Sequence, residues 1–156
     1  MDYHLLARQL EALSEGERSW LPLLSNASAL LDGALDDINW VGFYLVQDDE
    51  KGVPELVLGP FQGKVACARI AWGSGVCGTA AAADTAQRVD DVHEFAGHIA
   101  CDGASNSEMV FPLHRDGAVW GVLDIDSPSP ARFSSEDQEG LETFVRALEA
   151  ALAATR

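Results

Sequence analysis

Basic residues are scarce in this chain: Lys and Arg number 10 against 25 Asp and Glu, for a formal net charge of −15 at pH 7. Phosphate recognition needs clustered cations, and the few present are scattered, so nucleic acid is excluded as a partner. No apolar run approaches the roughly 20 residues that cross a bilayer. The opening stretch, MDYHLLARQLEALSEGE, has no basic segment leading into an apolar one, as a secretory signal would. These absences set the expectation of a cytoplasmic protein. There is also no Cys-x-x-Cys pair. The three cysteines, Cys67, Cys77 and Cys101, stand 10 and 24 positions apart with His98 nearby, a spacing that does not suit structural zinc. A metal site is therefore not expected. In a reducing compartment permanent disulfides are disfavoured, which leaves inert thiols or redox chemistry. No internal repeat or linker divides the chain, so residues 1–156 are expected to form a single domain.

What the chain does contain is periodicity. At 47% hydrophobic and 22% charged residues it has the composition of a globular protein. Leu5, Leu6, Leu10 and Leu13 predict a helix over 2–13, and Leu21, Leu24, Leu31 and Leu35 a second over 19–35, with Pro22 tolerated in its first turn. The period then changes. INWVGFYLV (38–46) is β-branched and aromatic and predicts a strand. QDDEKGVP is a hairpin tip, 55–58 returns as a strand, and Gly59-Pro60 is expected to end it. A third strand is expected over 65–71 with Cys67 inside it, then a turn at Gly73 and Gly75 into an Ala-rich helix with Cys77 near its start. A brief strand at 87–90 and a helical turn at 92–95 follow, and 96–107 is loop-like. Ser134 caps a final helix to about residue 153, with Leu141, Phe144, Val145, Leu148 and Leu152 as its apolar stripe. Helices, strands, a helical insertion, strands and a helix, without strict βαβ alternation, indicate an α+β fold on an antiparallel sheet.

Chemistry concentrates between Cys101 and Asp126. Asp124 and Asp126 share one strand face, and Glu108 begins the partner strand. Carboxylates at strand ends are ordinarily solvated and a lone cysteine is ordinarily a small core residue. Two further thiols upstream shift the balance towards a site. The hairpin register decides whether the acids meet. A two-residue loop at Asp116-Gly117 pairs 115 with 118 and sets Glu108 opposite Ile125, on the wrong face. A three-residue loop with a bulge pairs Glu108 with Asp124; a shared carboxylate pocket needs that register, or an equivalent bulge elsewhere.

Upstream, a helix start at Cys77 would favour its thiolate and lower its pKa. GSGVCGTA lacks the Lys-Ser/Thr ending of a P-loop and lies in no βαβ unit, so a nucleotide loop is not expected. Trp40, Gly42 and Tyr44 share a strand face, with the glycine leaving room between two rings. Such rings are usually core, but here they could wall a small apolar ligand.

Taken together, NWVGFYLV, LVLGPFQGKVAC, GVCGTAAA, VDDVHEFAGHIACDGASNSEMVFPL and GVLDIDS resemble the free methionine-(R)-sulfoxide reductases, small GAF-domain enzymes, over roughly residues 37–150. GVLDIDS is common among GAF domains; HIACDGASNSE with two upstream cysteines is far more specific. The resemblance implies a six-stranded antiparallel sheet with the N- and C-terminal helices on one face and a ligand pocket on the other. It implies a homodimer and thioredoxin as reductant. It places the attacking thiol on Cys101, the other thiols on Cys67 and Cys77, the pocket carboxylates on Glu108, Asp124 and Asp126, and the pocket tryptophan on Trp40. The tip QDDEKGVPE is longer than usual but lies between the motifs.

The expected activity is thiol-dependent reduction of free methionine (R)-sulfoxide through a cysteine sulfenic acid and a disulfide, chemistry that requires no metal or organic cofactor. Crowded carboxylates would hold a proton for the departing oxygen and meet the substrate ammonium. Backbone amides around Gly73–Gly75 are one candidate for the substrate carboxylate. The rival expectation is a non-catalytic GAF module that binds or senses a small ligand, which would leave three thiols unexplained.

Overall fold

Alternating strands and amphipathic helices assemble into one sheet with helices on both faces. The computed structural model describes residues 1–97 and 103–156. The expectations for His98, Cys101 and Asp102 therefore lie outside the described residues. Six strands are present among the described residues: β1 (Trp40–Asp48), β2 (Pro54–Gly63), β3 (Arg69–Ala71), β4 (Gln87–Val89), β5 (Ser107–Arg115) and β6 (Ala118–Ser127). Their order is β3-β2-β1-β6-β5-β4, with every neighbouring pair antiparallel. The helices are α1 (Tyr3–Ser14), α2 (Trp20–Ala34), α3 (Gly75–Ala83) and α4 (Ser135–Ala153).

Strand alternation sorts the two faces. Val41, Phe43 and Leu45 of β1, with Met109, Phe111, Leu113, Leu123 and Ile125, pack against leucines of α1 and α2 and against Phe144 and Leu148 of α4. Complete burial of each such side chain contributes on the order of 2 kcal/mol, so this layer fixes the sheet. On the opposite face Trp40, Tyr44, Val110 and Val122 meet Val76, Cys77 and Ala80 of α3. Ser134 caps α4 as expected: its Oγ accepts from the Asp137 amide at 3.1 Å, and the Asp137 carboxylate accepts from the Ser134 amide at 3.0 Å.

Two strand expectations are corrected. Gly59-Pro60 does not end β2, which continues to Gly63. The β1–β2 register slips between Gly42 and Tyr44, so a bulge absorbs the glycine and proline. β3 pairs only with residues 55–57 of β2, so no ladder on that side requires an amide from Pro60. The strand expected over 65–71 is only Arg69–Ala71, which leaves Cys67 in an irregular link.

The far end of α3 is also anchored. His114 of β5 lies between Glu149 Oε2 of α4 (2.6 Å from Nδ1) and Asp84 Oδ1 at the α3 C-cap (2.5 Å from Nε2). Burial works against a charge on this imidazole, but both carboxylates favour it, and its pKa is raised. An imidazolium is the form that donates to both acceptors at once.

Candidate functional site

The hairpin tip has the two-residue loop: Arg115 pairs with Ala118, and Asp116 and Gly117 both have positive φ, 55° and 78°. That register alone would turn Glu108 away. It shifts between Leu113 and His114, however, so that Leu113 pairs with Gly121 and Trp120 becomes the extra residue. Below this bulge Val110 faces Asp124 and Glu108 faces Asp126. Glu108 therefore shares the face of both aspartates, but its direct partner is Asp126 rather than Asp124. On the other side of β6, Asp126 pairs with Trp40 and Asp124 with Gly42. Three acids and one indole are thus neighbours by register alone.

All three carboxylates are buried, Asp124 at 5%, Glu108 at 7% and Asp126 at 9% exposure. Burial, followed by the charge of Asp126, pushes Glu108 up to about 8. Burial and then Glu108 push Asp124 well above the usual carboxylate range. One oxygen of Asp124, Oδ1, is buried and has no hydrogen-bond partner among the described residues. Such an acceptor is costly unless a cation or proton donor reaches it. The cluster is a proton reservoir with affinity for a positive charge.

Cys77, in the first turn of α3, enters the same cluster, with its Sγ 3.8 Å from Glu108 Oε2. The expected thiolate stabilisation is overturned. Cys77 is buried, and burial, Asp124, Glu108 and Asp126 in turn raise its pKa well above that of an ordinary thiol. The helix dipole is worth about 1 kcal/mol, less than desolvation beside several acids. Cys77, Glu108 and Asp124 present ligand atoms within 4.8 Å of one another, and among the described residues they are the group that could face a cation. The carboxylate oxygens of this group are also acceptors for an ammonium.

The aromatic wall is present but filled differently from the expectation. Trp40 stacks on Tyr44 at 5.9 Å and on Phe61 at 5.2 Å. A Cβ on Gly42 would lie 2.3 Å from Cβ of Phe61, so the glycine makes room for Phe61 and not for a ligand. Sequence reading passed over Phe61; its signal was the FQG ending of a strand believed to stop earlier.

Tyr44 donates its hydroxyl to the carbonyl of Cys67 at 2.9 Å, and Trp40 donates Nε1 to the carbonyl of Lys64 at 3.2 Å. Both rings therefore reach the link that carries Cys67, a half-buried residue that is disulfide-bonded, whereas Cys77 is free. Among the expected site residues the fold gathers Trp40, Tyr44, Cys77, Glu108, Asp124 and Asp126, and sets Cys67 at the margin of the group. One anion-binding expectation weakens. The Gly73 amide donates to Gly78 (3.1 Å) and the Ser74 amide to Ala71 (3.0 Å), so both are committed within the turn.

The GAF domain family matches residues 8–152. The free methionine-R-sulfoxide reductase of Escherichia coli is 56% identical over 98% of this chain and 90% of that protein. The reduced form of fRMsr of Staphylococcus aureus superposes with a TM-score of 0.91 at 51% identity, over 97% of this chain and 96% of that one. The free methionine-R-sulfoxide reductase of Neisseria meningitidis in complex with its substrate gives a TM-score of 0.89 at 43% identity, over 97% and 89% of the two chains. No helix among the described residues is long and apolar enough to cross a membrane. The chain belongs to the GAF-domain family and, within it, to the free methionine-R-sulfoxide reductases.

Proposed function

We propose that this protein is an oxidoreductase that reduces free L-methionine (R)-sulfoxide to methionine, acting as a single GAF domain over residues 1–156. The observation that carries the reading is the buried group of Glu108, Asp124 and Asp126 beside Trp40, with Glu108 pushed up to about 8. Two properties of that group match the two ends of the substrate. Its acceptor oxygens, Asp124 Oδ1 among them, suit the ammonium of a free amino acid. Glu108, raised to about 8, holds a proton near neutral pH for the sulfoxide oxygen as it leaves.

The chemistry then follows from thiols alone. The Cys101 thiolate attacks the sulfoxide sulfur, forming an S–S bond as the S–O bond breaks and the protonated oxygen leaves as water. Water then adds to the Cys101 sulfur, that S–S bond breaks, and methionine leaves with Cys101 as a sulfenic acid. The Cys67 thiol displaces hydroxide from that sulfur, forming a disulfide and water. Thioredoxin, a dithiol, exchanges the disulfide away and resets the site. The disulfide-bonded state of Cys67 supports its role as the resolving thiol, and the buried, proton-retaining Cys77 is left as a relay or reserve. Thioredoxin and a homodimeric assembly rest on the family resemblance. A sedimentation mass near one chain would remove the dimer.

A direct assay tests the proposal. The reduced protein is incubated with each epimer of free methionine sulfoxide and dithiothreitol, and methionine is quantified. Stoichiometric conversion of the R epimer is expected, with the S epimer largely untouched. No conversion of the R epimer by folded, reduced protein would favour a ligand-sensing GAF module.

A further inference from the structure

Residues 64–68 join β2 to β3, carry Cys67, and have no regular structure. Such a link would ordinarily wander, and Val65 within it is 89% exposed. Its backbone is nevertheless fixed at three points. Trp40 Nε1 holds the Lys64 carbonyl at 3.2 Å, the Tyr44 hydroxyl holds the Cys67 carbonyl at 2.9 Å, and the Leu58 amide holds the Ala68 carbonyl at 3.0 Å. Two of the three anchors are side chains of β1, the strand that also pairs with the aspartates. The approach on the Lys64 side depends on Gly63, whose φ is +139°. A Cβ there would lie 2.5 Å from Trp40 Cδ1.

We propose that Tyr44, assisted by Trp40, is a positioning residue for Cys67, holding its main chain where the thiol can close a disulfide. This inference rests on the reading above that Cys67 resolves the sulfenic acid. Disulfide formation tolerates only a narrow range of separations, with Cα atoms usually about 4.4–6.8 Å apart. An untethered link would spend much of its time outside that window, and the lost fraction would appear directly as a slower rate. The bond runs to a main-chain atom of the cysteine itself, so it constrains the origin of the side chain. Tyr44 is only 2% exposed. Burial first, and then the charge of Asp124, raise its phenol well above the usual value, so the hydroxyl remains a donor across the working pH range. The step needs no outside oxidant: the Cys67 thiol loses its proton, an S–S bond forms, the S–O bond of the sulfenic acid breaks, and water leaves.

Tyr44→Phe tests this, because it keeps the stacked ring and removes only the donor. Reduced wild type and variant are each mixed with one equivalent of free methionine (R)-sulfoxide without reductant. Methionine is followed by chromatography, sulfenic acid by dimedone trapping, and disulfide by mass. In the variant, disulfide formation is expected to slow about tenfold relative to methionine release, the cost of one hydrogen bond. The dimedone adduct should accumulate in the variant alone. An unchanged ratio of the two rates would overturn the proposal, even if KM rises, because it would make Tyr44 a substrate contact only. A second arm omits the sulfoxide. In glutathione redox buffers, the Cys67 disulfide of the variant should form about tenfold less readily, and an unchanged equilibrium would again overturn the proposal. If wild type releases no methionine, the functional reading fails, while the glutathione arm still decides the anchor. Should Tyr44→Phe not fold, Trp40→Phe removes the other side-chain anchor and should shift the same ratio in the same direction. Unchanged behaviour in that variant would count equally against the proposal.

Discussion

Cys101→Ser is expected to reduce methionine (R)-sulfoxide no faster than buffer does, whichever reductant is supplied. A serine hydroxyl is neither acidic nor polarisable enough to attack sulfur, and no other thiol is suited to replace it. Cys77 is buried against acids that keep it protonated. Cys67 is the partner in the second step, so Cys67→Ser should behave differently. It should release about one methionine per site and then stall with thioredoxin, because a dithiol reductant needs a disulfide to exchange with. Dithiothreitol, a small thiol, should partly rescue it by reducing the sulfenic acid directly. Normal cycling by Cys67→Ser while Cys77→Ser stalls would reverse the assignment of the two thiols.

The carboxylates should produce the other large effect. Asp126→Asn removes a charge facing the substrate ammonium and Asp124→Asn removes a buried acceptor oxygen beside it, each a loss of about 1.5–3 kcal/mol, or about tenfold to a hundredfold in kcat/KM. Full efficiency in either variant would make that residue irrelevant to the substrate. Glu108 carries the pH dependence. Its folded pKa of about 8 lies above the ordinary 4.5, so the folded protein holds a proton that the unfolded chain has released. A raised acid makes its best contribution to stability below the unfolded value, and that contribution is lost as pH rises from about 4.5 through about 8. Activity that draws on this proton should fall over the upper part of the same window. Glu108→Gln should lose that alkaline limb of the activity profile and flatten the fall of melting temperature between about pH 4.5 and about pH 8. An unaltered profile in the variant would show that the proton resides elsewhere.

Much of this arrangement was legible in the residues. Ser134 and the Leu141-to-Leu152 stripe specify α4 locally, through a cap and a 3.6-residue period, and alternation placed Trp40 with Tyr44 and Asp124 with Asp126. The misreadings share one physical origin, in long-range contacts overriding local signals. Gly59-Pro60 carries a strong break signal, yet a bulge opposite β1 and an unpaired side let β2 run on. The hairpin tip chose its turn from Asp116-Gly117, but the register at Glu108 is set by the extra residue, Trp120. That indole lies beneath the guanidinium of its hairpin neighbour Arg115 at 5.3 Å and packs edge-on to Trp20 at 5.5 Å, a contact that reaches back to α2. Cys77 shows the same effect in electrostatics: its place at a helix start was readable, but not the three acids brought to it from a distant hairpin.

A buried acidic cluster should select an amino acid with a free ammonium group. Comparing kcat/KM for free L-methionine (R)-sulfoxide with that for its N-acetyl derivative tests this selection, because acetylation replaces the ammonium with a neutral amide that keeps a single N–H donor. The predicted result is a preference of at least about a hundredfold for the free amino acid, since the blocked amine leaves a buried carboxylate without its partner. Equal efficiency on the two substrates would contradict the account.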